Sequence, residues 1–303
     1  MLYDWLQWFK LIHLDKKLIS LWPGVNREIV KKAQTMNLET LNGQPASILG
    51  LAGSGAMDAS FAALAFDPGV NYFFFYDFTY KNFLDGLKPI VANHREQVLI
   101  ATGSDDRDRA LLRQYLEQVR QYLNVDVLDV FFAEYISPHE DITQRLAVLD
   151  ELWAWKEKGL IRYVGATTHN RAIALDLIKS DRCEVLMHRY NMAHRKAEEQ
   201  VFPMAQQARI PVVAFTCTRW GKLLQGHPNW QGEIPTAADC YRYALHQKAV
   251  KIALTAPETQ AQLEENLSVL QVPEFTPEAI ARWQEYGALI YGDGKDAFET
   301  KWV

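Results

Sequence analysis

Eight short apolar runs, evenly spread and separated by amphipathic segments, constrain this chain more than any other feature. They are Ser47–Ala52, Val70–Tyr76, Gln97–Thr102, Leu128–Glu134, Arg162–Thr167, Glu184–Tyr190, Ile210–Thr216 and Val250–Thr255. Each is rich in β-branched and aromatic residues and nearly continuous in hydrophobicity, as a strand buried on both faces requires. Between them lie helical patterns. Arg109–Leu123 places Ala110, Leu112, Leu116, Val119 and Leu123 near one face, and Gln144–Lys158 does the same with Leu146, Leu149, Leu152 and Trp153. Gly159 follows the second as a left-handed cap. Strands joined by helical crossovers pair in parallel. An open doubly wound sheet would use the same units, but eight evenly dispersed strands favour closure. The predicted class is α/β, a (β/α)8 TIM barrel, with function at the C-terminal ends of its strands.

The 303 residues suit one such barrel. A net charge of −5 with both signs interspersed gives no reason to expect nucleic acid. Cys183, Cys217 and Cys240 form no CxxC and no paired framework, which suits a reducing, cytoplasmic compartment. Ahead of a barrel over residues 36–303, residues 1–35 read as an extension with a short helix. Its apolar residues Trp5, Trp8, Phe9, Ile12, Leu18 and Trp22 are interrupted by Asp4, Lys10, Asp15 and Lys16, so neither a signal peptide nor a membrane span is expected. Packing on the barrel and contact with a protein or a membrane surface both remain open for it.

The turns carry a family resemblance. Met36–Gly53, with Leu41-Asn-Gly43 and Ser47-Ile-Leu-Gly-Leu51, resembles the N-terminal hairpin and first strand of aldo-keto reductases. Gly69-Val-Asn-Tyr-Phe73, Arg95-Glu-Gln-Val98-Leu-Ile-Ala-Thr102, Leu128-Asp-Val130 and Gly159-Leu-Ile-Arg162-Tyr-Val-Gly165 are similar to the runs through strands two to five. Tyr190-Asn191, Val213-Ala-Phe-Thr216 with Gly221-Lys-Leu-Leu224, and Glu265-Asn266 continue the series in order. The likeness covers roughly residues 36–270.

The resemblance implies carbonyl reduction with NADPH through Tyr, Lys, Asp and His, where Lys lowers the pKa of a proton-donating Tyr. Carried over position by position, the tetrad is degenerate. Phe74 stands for the Asp, Gly103 for the Lys, Glu134 for the His, and Thr79 for the Tyr, with Tyr80 one step off. An unassisted tyrosine, with pKa about 10, is a poor acid at neutral pH. Lys81 is a candidate replacement cation. The expected catalytic residues are therefore Glu134, Tyr80 and His188, the last at the end of strand six. An ion pair of Glu134 with Arg189 or Arg162 is the structural alternative.

The cofactor cradle is better kept. The resemblance implies that Phe215 stacks on a nicotinamide, with Thr216 beside it, that Thr167 contacts the carboxamide, and that Asn266 contacts the adenine. Glu258 falls where a cation for the 2′-phosphate is usual, so NAD(H) is favoured over NADP(H). His169, Glu134 and His188 could converge on a metal, but no HxH or HExxH pair supports this and none is expected. The expected substrate is a small molecule in a mouth made apolar by Phe73, Phe74, Phe75 and Phe78. The leading expectation is a nicotinamide-dependent oxidoreductase with a rebuilt site. A lyase or isomerase on the same barrel, and a non-catalytic scaffold, remain open beside it.

Overall fold

A computed structural model describes residues 37–271 and 274–294 of the chain. The expectations for residues 1–35 lie outside the described residues. Eight parallel strands close on themselves in sequence order: β1 (Leu49–Ala52), β2 (Tyr72–Phe75), β3 (Leu99–Ser104), β4 (Leu128–Ala133), β5 (Ile161–Thr168), β6 (Val185–Arg189), β7 (Val212–Phe215) and β8 (Val250–Thr255). Each lies within or overlaps one of the eight apolar runs, and β8 pairs back onto β1 with Leu51 opposite Thr255.

The crossovers are α1 (Ser60–Phe66), α2 (Lys81–His94), α3 (Arg109–Leu123), α4 (Ile142–Glu157), α5 (Arg171–Lys179), α6 (Val201–Ala208) and α7 (Ala237–Leu245). After β8 come α8 (Gln260–Leu267) and α9 (Pro277–Tyr291). Helix starts that border the strand ends are fixed by side chains. Asp108 caps α3 through the Ala110 and Leu111 amides, and Asp141 caps α4 through those of Thr143 and Gln144. Thr259 and Gln262 form a capping box on α8. Helix α3 spans the predicted residues. Helix α4 begins earlier because Asp141 supplies the cap.

Alternation along the strands builds two cores. Tyr72 and Phe74 of β2 join the cluster inside the barrel, with Val130, Phe132, Val185, Met187, Val213 and Leu254. Phe73 and Phe75 join the cluster between sheet and helices. That two-sided burial is why Tyr72–Phe75 is wholly aromatic, with no charged or amide side chain. The interior is tight: a Cβ added to Gly165 would stand 2.3 Å from the Phe132 ring, so the ring packs over a residue that must lack a side chain.

The N-terminal end is closed by polar contacts. A hairpin over residues 38–46 turns at Gly43, with Ala46 N–H donating to the Leu38 carbonyl at 2.8 Å. Leu38 packs into the interior cluster. Asp129 is fully buried and accepts from Arg95 Nη2 at 2.8 Å, Arg162 Nη1 at 2.6 Å and the Ile100 amide at 2.8 Å. Arg162 also donates to the Glu39 carbonyl at 2.8 Å, tying the hairpin to β4 and β5. Arg162 is thus committed to Asp129 at the end remote from the strand C-termini, and the pairing of Arg162 with Glu134 weighed from sequence does not occur. Removing one member of such a buried set strands the others. Asp129→Ala should cost about 3–5 kcal/mol in urea unfolding, and a loss below about 1 kcal/mol would mean that the two guanidiniums do not depend on it.

Candidate functional site

At the C-terminal ends of the strands lies a cavity of about 860 Å³. It runs from a mouth lined by Phe74, Tyr76, Tyr80, Glu134, Tyr135, His169 and Phe215 to a far end lined by Thr255, Glu258, Gln262, Glu265 and Asn266. Alternation decides which residues reach it. Val130 and Phe132 face inward, so Glu134 does too; Tyr163 and Val213 lie with the interior cluster, which brings Thr167, His169 and Phe215 to the opening.

The same count corrects one expectation. Val185 and Met187 face the interior of β6, so His188 falls on the other side and does not line the cavity. It is buried, with Nδ1 2.7 Å from the Thr168 carbonyl oxygen, and burial pulls its pKa down to about 4. The histidine at the mouth is His169. Desolvation, followed by the charges of Arg189 and His188, lowers its pKa to about 3, so its ring is neutral at pH 7.

The carboxyl of Glu134 is 3% exposed, and its Oε1 has no hydrogen-bond partner. Burial raises its pKa well above the carboxylate range; the Asp105 charge adds to the rise and Arg107 opposes it. Its backbone is held, with the amide donating to the Ser104 carbonyl at 2.9 Å and the carbonyl accepting from Arg107 Nη2 at 2.8 Å. Arg107 also pairs with Glu140 at 2.8 Å, clamping the loops after β3 and β4 together. Room for the carboxyl comes from Gly103. A Cβ there would stand 2.5 Å from Glu134 Oε1 and 2.7 Å from its Cγ. The same Cβ would stand 2.6 Å from the Phe132 carbonyl oxygen, so the backbone of β4 and the acid at 134 both require the glycine.

Next along the chain, Tyr135 adopts a left-handed φ of 51°, fixed by its amide donating to Thr167 Oγ1 at 2.9 Å. A non-glycine residue there costs of order 1 kcal/mol or more and stands only where its surroundings enforce it. Its ring begins an aromatic rim: it stacks on His169 at 6.2 Å and meets Tyr76 edge-on at 6.5 Å. Tyr76 meets Tyr80 at 5.3 Å, and His169 meets Phe215 at 4.9 Å. Tyr80 therefore reaches the mouth as expected, but its neighbours are aromatic and acidic. Burial, then Tyr76 and Asp77, push its phenol above the ordinary value. Lys81 does not relieve this. Its Nζ bonds the Tyr122 hydroxyl at 2.7 Å on an exposed surface and is absent from the cavity lining.

The four residues assigned to a cofactor all line the cavity. Thr167 spends its hydroxyl on the Tyr135 amide. Thr216, at φ 54°, keeps Oγ1 without a partner, and Asn191 Nδ2 donates to its carbonyl at 2.9 Å. Asn266 Nδ2 donates to Thr255 Oγ1 at 2.8 Å while its buried Oδ1 has no partner. Among the described residues, no group of three His, Cys, Asp or Glu could hold a metal ion, and no helix is long and apolar enough to cross a membrane.

A family model described as aldo/keto reductase matches residues 80–229, from the residue before α2 into the loop after β7. Over those residues, just under half of its length, the chain is similar to the aldo-keto reductase family. No curated protein matches it. Among solved structures it is similar to the aldo-keto reductase AKR11C1 from Bacillus halodurans in its holo form, with a TM-score of 0.70 and 16% identity over 87% of this chain and all of that one. The apo form gives 0.67 and 18% over 83% and 96%. The aldose reductase from Schistosoma japonicum gives 0.65 and 16% over 83% and 92%. At these identities the likeness is one of fold.

The buried Glu134 carboxyl also ties stability to pH. Its pKa is raised in the folded state, so the native chain holds the extra proton above the unfolded value near 4.5. Stability therefore falls as pH rises from there toward the folded pKa, and levels off beyond it. Glu134→Gln should remove this fall in urea unfolding followed between pH 5 and pH 8. Parallel pH profiles for the two proteins would show that the carboxyl is solvated.

Proposed function

We propose that this chain is a nicotinamide-dependent oxidoreductase of the aldo-keto reductase family whose proton-exchanging group is Glu134 rather than a lysine-assisted tyrosine. The observation that carries the reading is the juxtaposition of an orphaned, buried carboxyl with Phe215 at one end of a cavity and the unpartnered Oδ1 of Asn266 at the other. Phe215 offers a ring face, Asn266 Oδ1 an acceptor for an exocyclic amine, and Thr216 Oγ1 a further polar contact; these suit the two bases of a dinucleotide. A bound dinucleotide would supply or accept a hydride.

The chain's own contribution is the proton. A carboxyl whose pKa burial raises well above its ordinary value keeps its proton further up the pH scale than a surface acid does, and can exchange it with the heteroatom of a substrate. Tyr80 is a weak candidate for that task because the groups that shift its phenol all raise it. The site is thus degenerate by the measure of the family's tetrad, with Phe74 and Gly103 removing the charges that would tune a tyrosine. Glu258 supports a preference for NAD(H), since a carboxylate on the wall disfavours a 2′-phosphate.

One observation favours a second reading, a non-redox enzyme or binding barrel. Among the described residues that line the cavity, none is Lys or Arg, so no side-chain cation meets a pyrophosphate. Titration with NADH and NADPH, followed by the fluorescence of the nine tryptophans, separates the two. Saturable binding, tighter for NADH and weakened by Phe215→Ala, is expected, and Glu258→Arg should improve NADPH. An unchanged signal with both nucleotides at millimolar concentration would leave only the second reading. Once turnover is found, Glu134→Gln should lower kcat by roughly 10²–10⁴-fold, whereas Tyr80→Phe should stay within about threefold of the parent.

A further inference from the structure

Reduction of a carbonyl builds negative charge on oxygen, and an enzyme stabilises it with cations or aimed donors. The mouth of this barrel is arranged for the opposite sign. Its lining contains Glu134 and the rings of Phe74, Tyr76, Tyr80, Tyr135 and Phe215, while the cavity as a whole adds Glu258 and Glu265 and, among the described residues, no Lys or Arg. Aromatic faces carry negative quadrupole and attract ammonium groups, the more so when desolvated. His169, the one basic side chain in the lining, is neutral at physiological pH.

We propose that the mouth receives an organic cation, a protonated or quaternary alkyl- or arylammonium group, with the Glu134 carboxylate as its counter-charge and the tyrosine rim as its walls. As a statement about the substrate's charge it rests on the oxidoreductase reading, and it narrows that reading to a substrate whose heteroatom is nitrogen. As a statement about binding it stands on the geometry alone.

A lone carboxylate in this position is costly, because among the described residues no guanidinium pairs with the Glu134 carboxyl as two pair with Asp129; Arg107 bonds only its backbone carbonyl. An arriving cation supplies the missing charge, so binding and ionisation are linked: Glu134 gives up a proton as the ammonium enters. The groups that face the carboxyl bear on this. Asp105 and Arg107 come from the segment after β3, with opposing effects. Tyr115 comes from α3 and bonds Thr102 Oγ1 at 2.8 Å, and Tyr135 follows Glu134 in the chain. Burial holds both phenols neutral, with that of Tyr135 raised to about 12.

The test uses the full chain without nucleotide. Benzyltrimethylammonium, benzylamine (a cation at neutral pH), benzyl alcohol and benzoate are titrated by calorimetry at pH 7. Both cations should bind at least tenfold more tightly than the alcohol, and benzoate should not bind. Glu134→Gln should bring the cations to the level of the alcohol, and Tyr76→Leu, which leaves the buried carboxyl in place, should weaken them severalfold. For the parent, benzyltrimethylammonium should bind more tightly as pH rises from 6 to 8, with up to one proton released per cation. Equal affinity for benzylamine and benzyl alcohol, preference for benzoate, or cation binding unchanged in Glu134→Gln would each overturn the proposal. Cation binding in a protein that ignores NADH would retain it and remove the oxidoreductase reading; NADH binding without cation preference would do the reverse.

Discussion

A strand in a closed barrel serves two apolar environments, and this constraint organises the rest of the molecule. Tyr72 and Phe74 fill the lumen while Phe73 and Phe75 fill the layer under the helices. Polar side chains are therefore driven to the strand ends. At the N-terminal end Asp129 gathers two arginines and holds the hairpin. At the C-terminal end Glu134, Thr167 and His169 open onto a cavity. Stability and chemistry occupy opposite ends of the same strands, as the architecture favours.

The two buried carboxyls of β4 and its end show how environment sets role. Asp129 accepts from two guanidiniums and a backbone amide, which makes it a structural charge. Glu134 lies five residues later, with a carboxylate charge nearby at Asp105 and an oxygen without a partner. Burying such a group is unfavourable unless it stays protonated or acquires a ligand. Backbone strain gathers at the same end. Tyr135, Thr216, Arg219 and Trp220 all take left-handed backbone on the loops after β4 and β7, where the fold has to over-determine them.

Much of this was legible in the chain. The nearly continuous apolar runs located all eight strands, and the helical period located α3 from Arg109 to Leu123, because burial on both faces and on one face leave different signatures. Glu134 was readable as a mouth residue because it ends a nearly all-apolar strand, and the inward line through Val130 and Phe132 gives the reason. Counting the same way from Val185 and Met187 would have placed His188 outside, and counting from Tyr163 would have promoted His169. The Asp129 cluster was not legible, since Arg95 and Arg162 lie more than thirty positions away on either side and only the closed sheet brings them together. Nor was the fit of Glu134 into the space above Gly103, because contact between neighbouring strands depends on register rather than on spacing.

That fit couples the history of two positions. Any residue larger than glycine at 103 collides with the acid at 134 and, 2.6 Å away, with the backbone carbonyl oxygen of Phe132. Shortening the acid therefore cannot by itself release the glycine, whereas the glycine leaves position 134 open to smaller residues, so the dependence between the two runs one way.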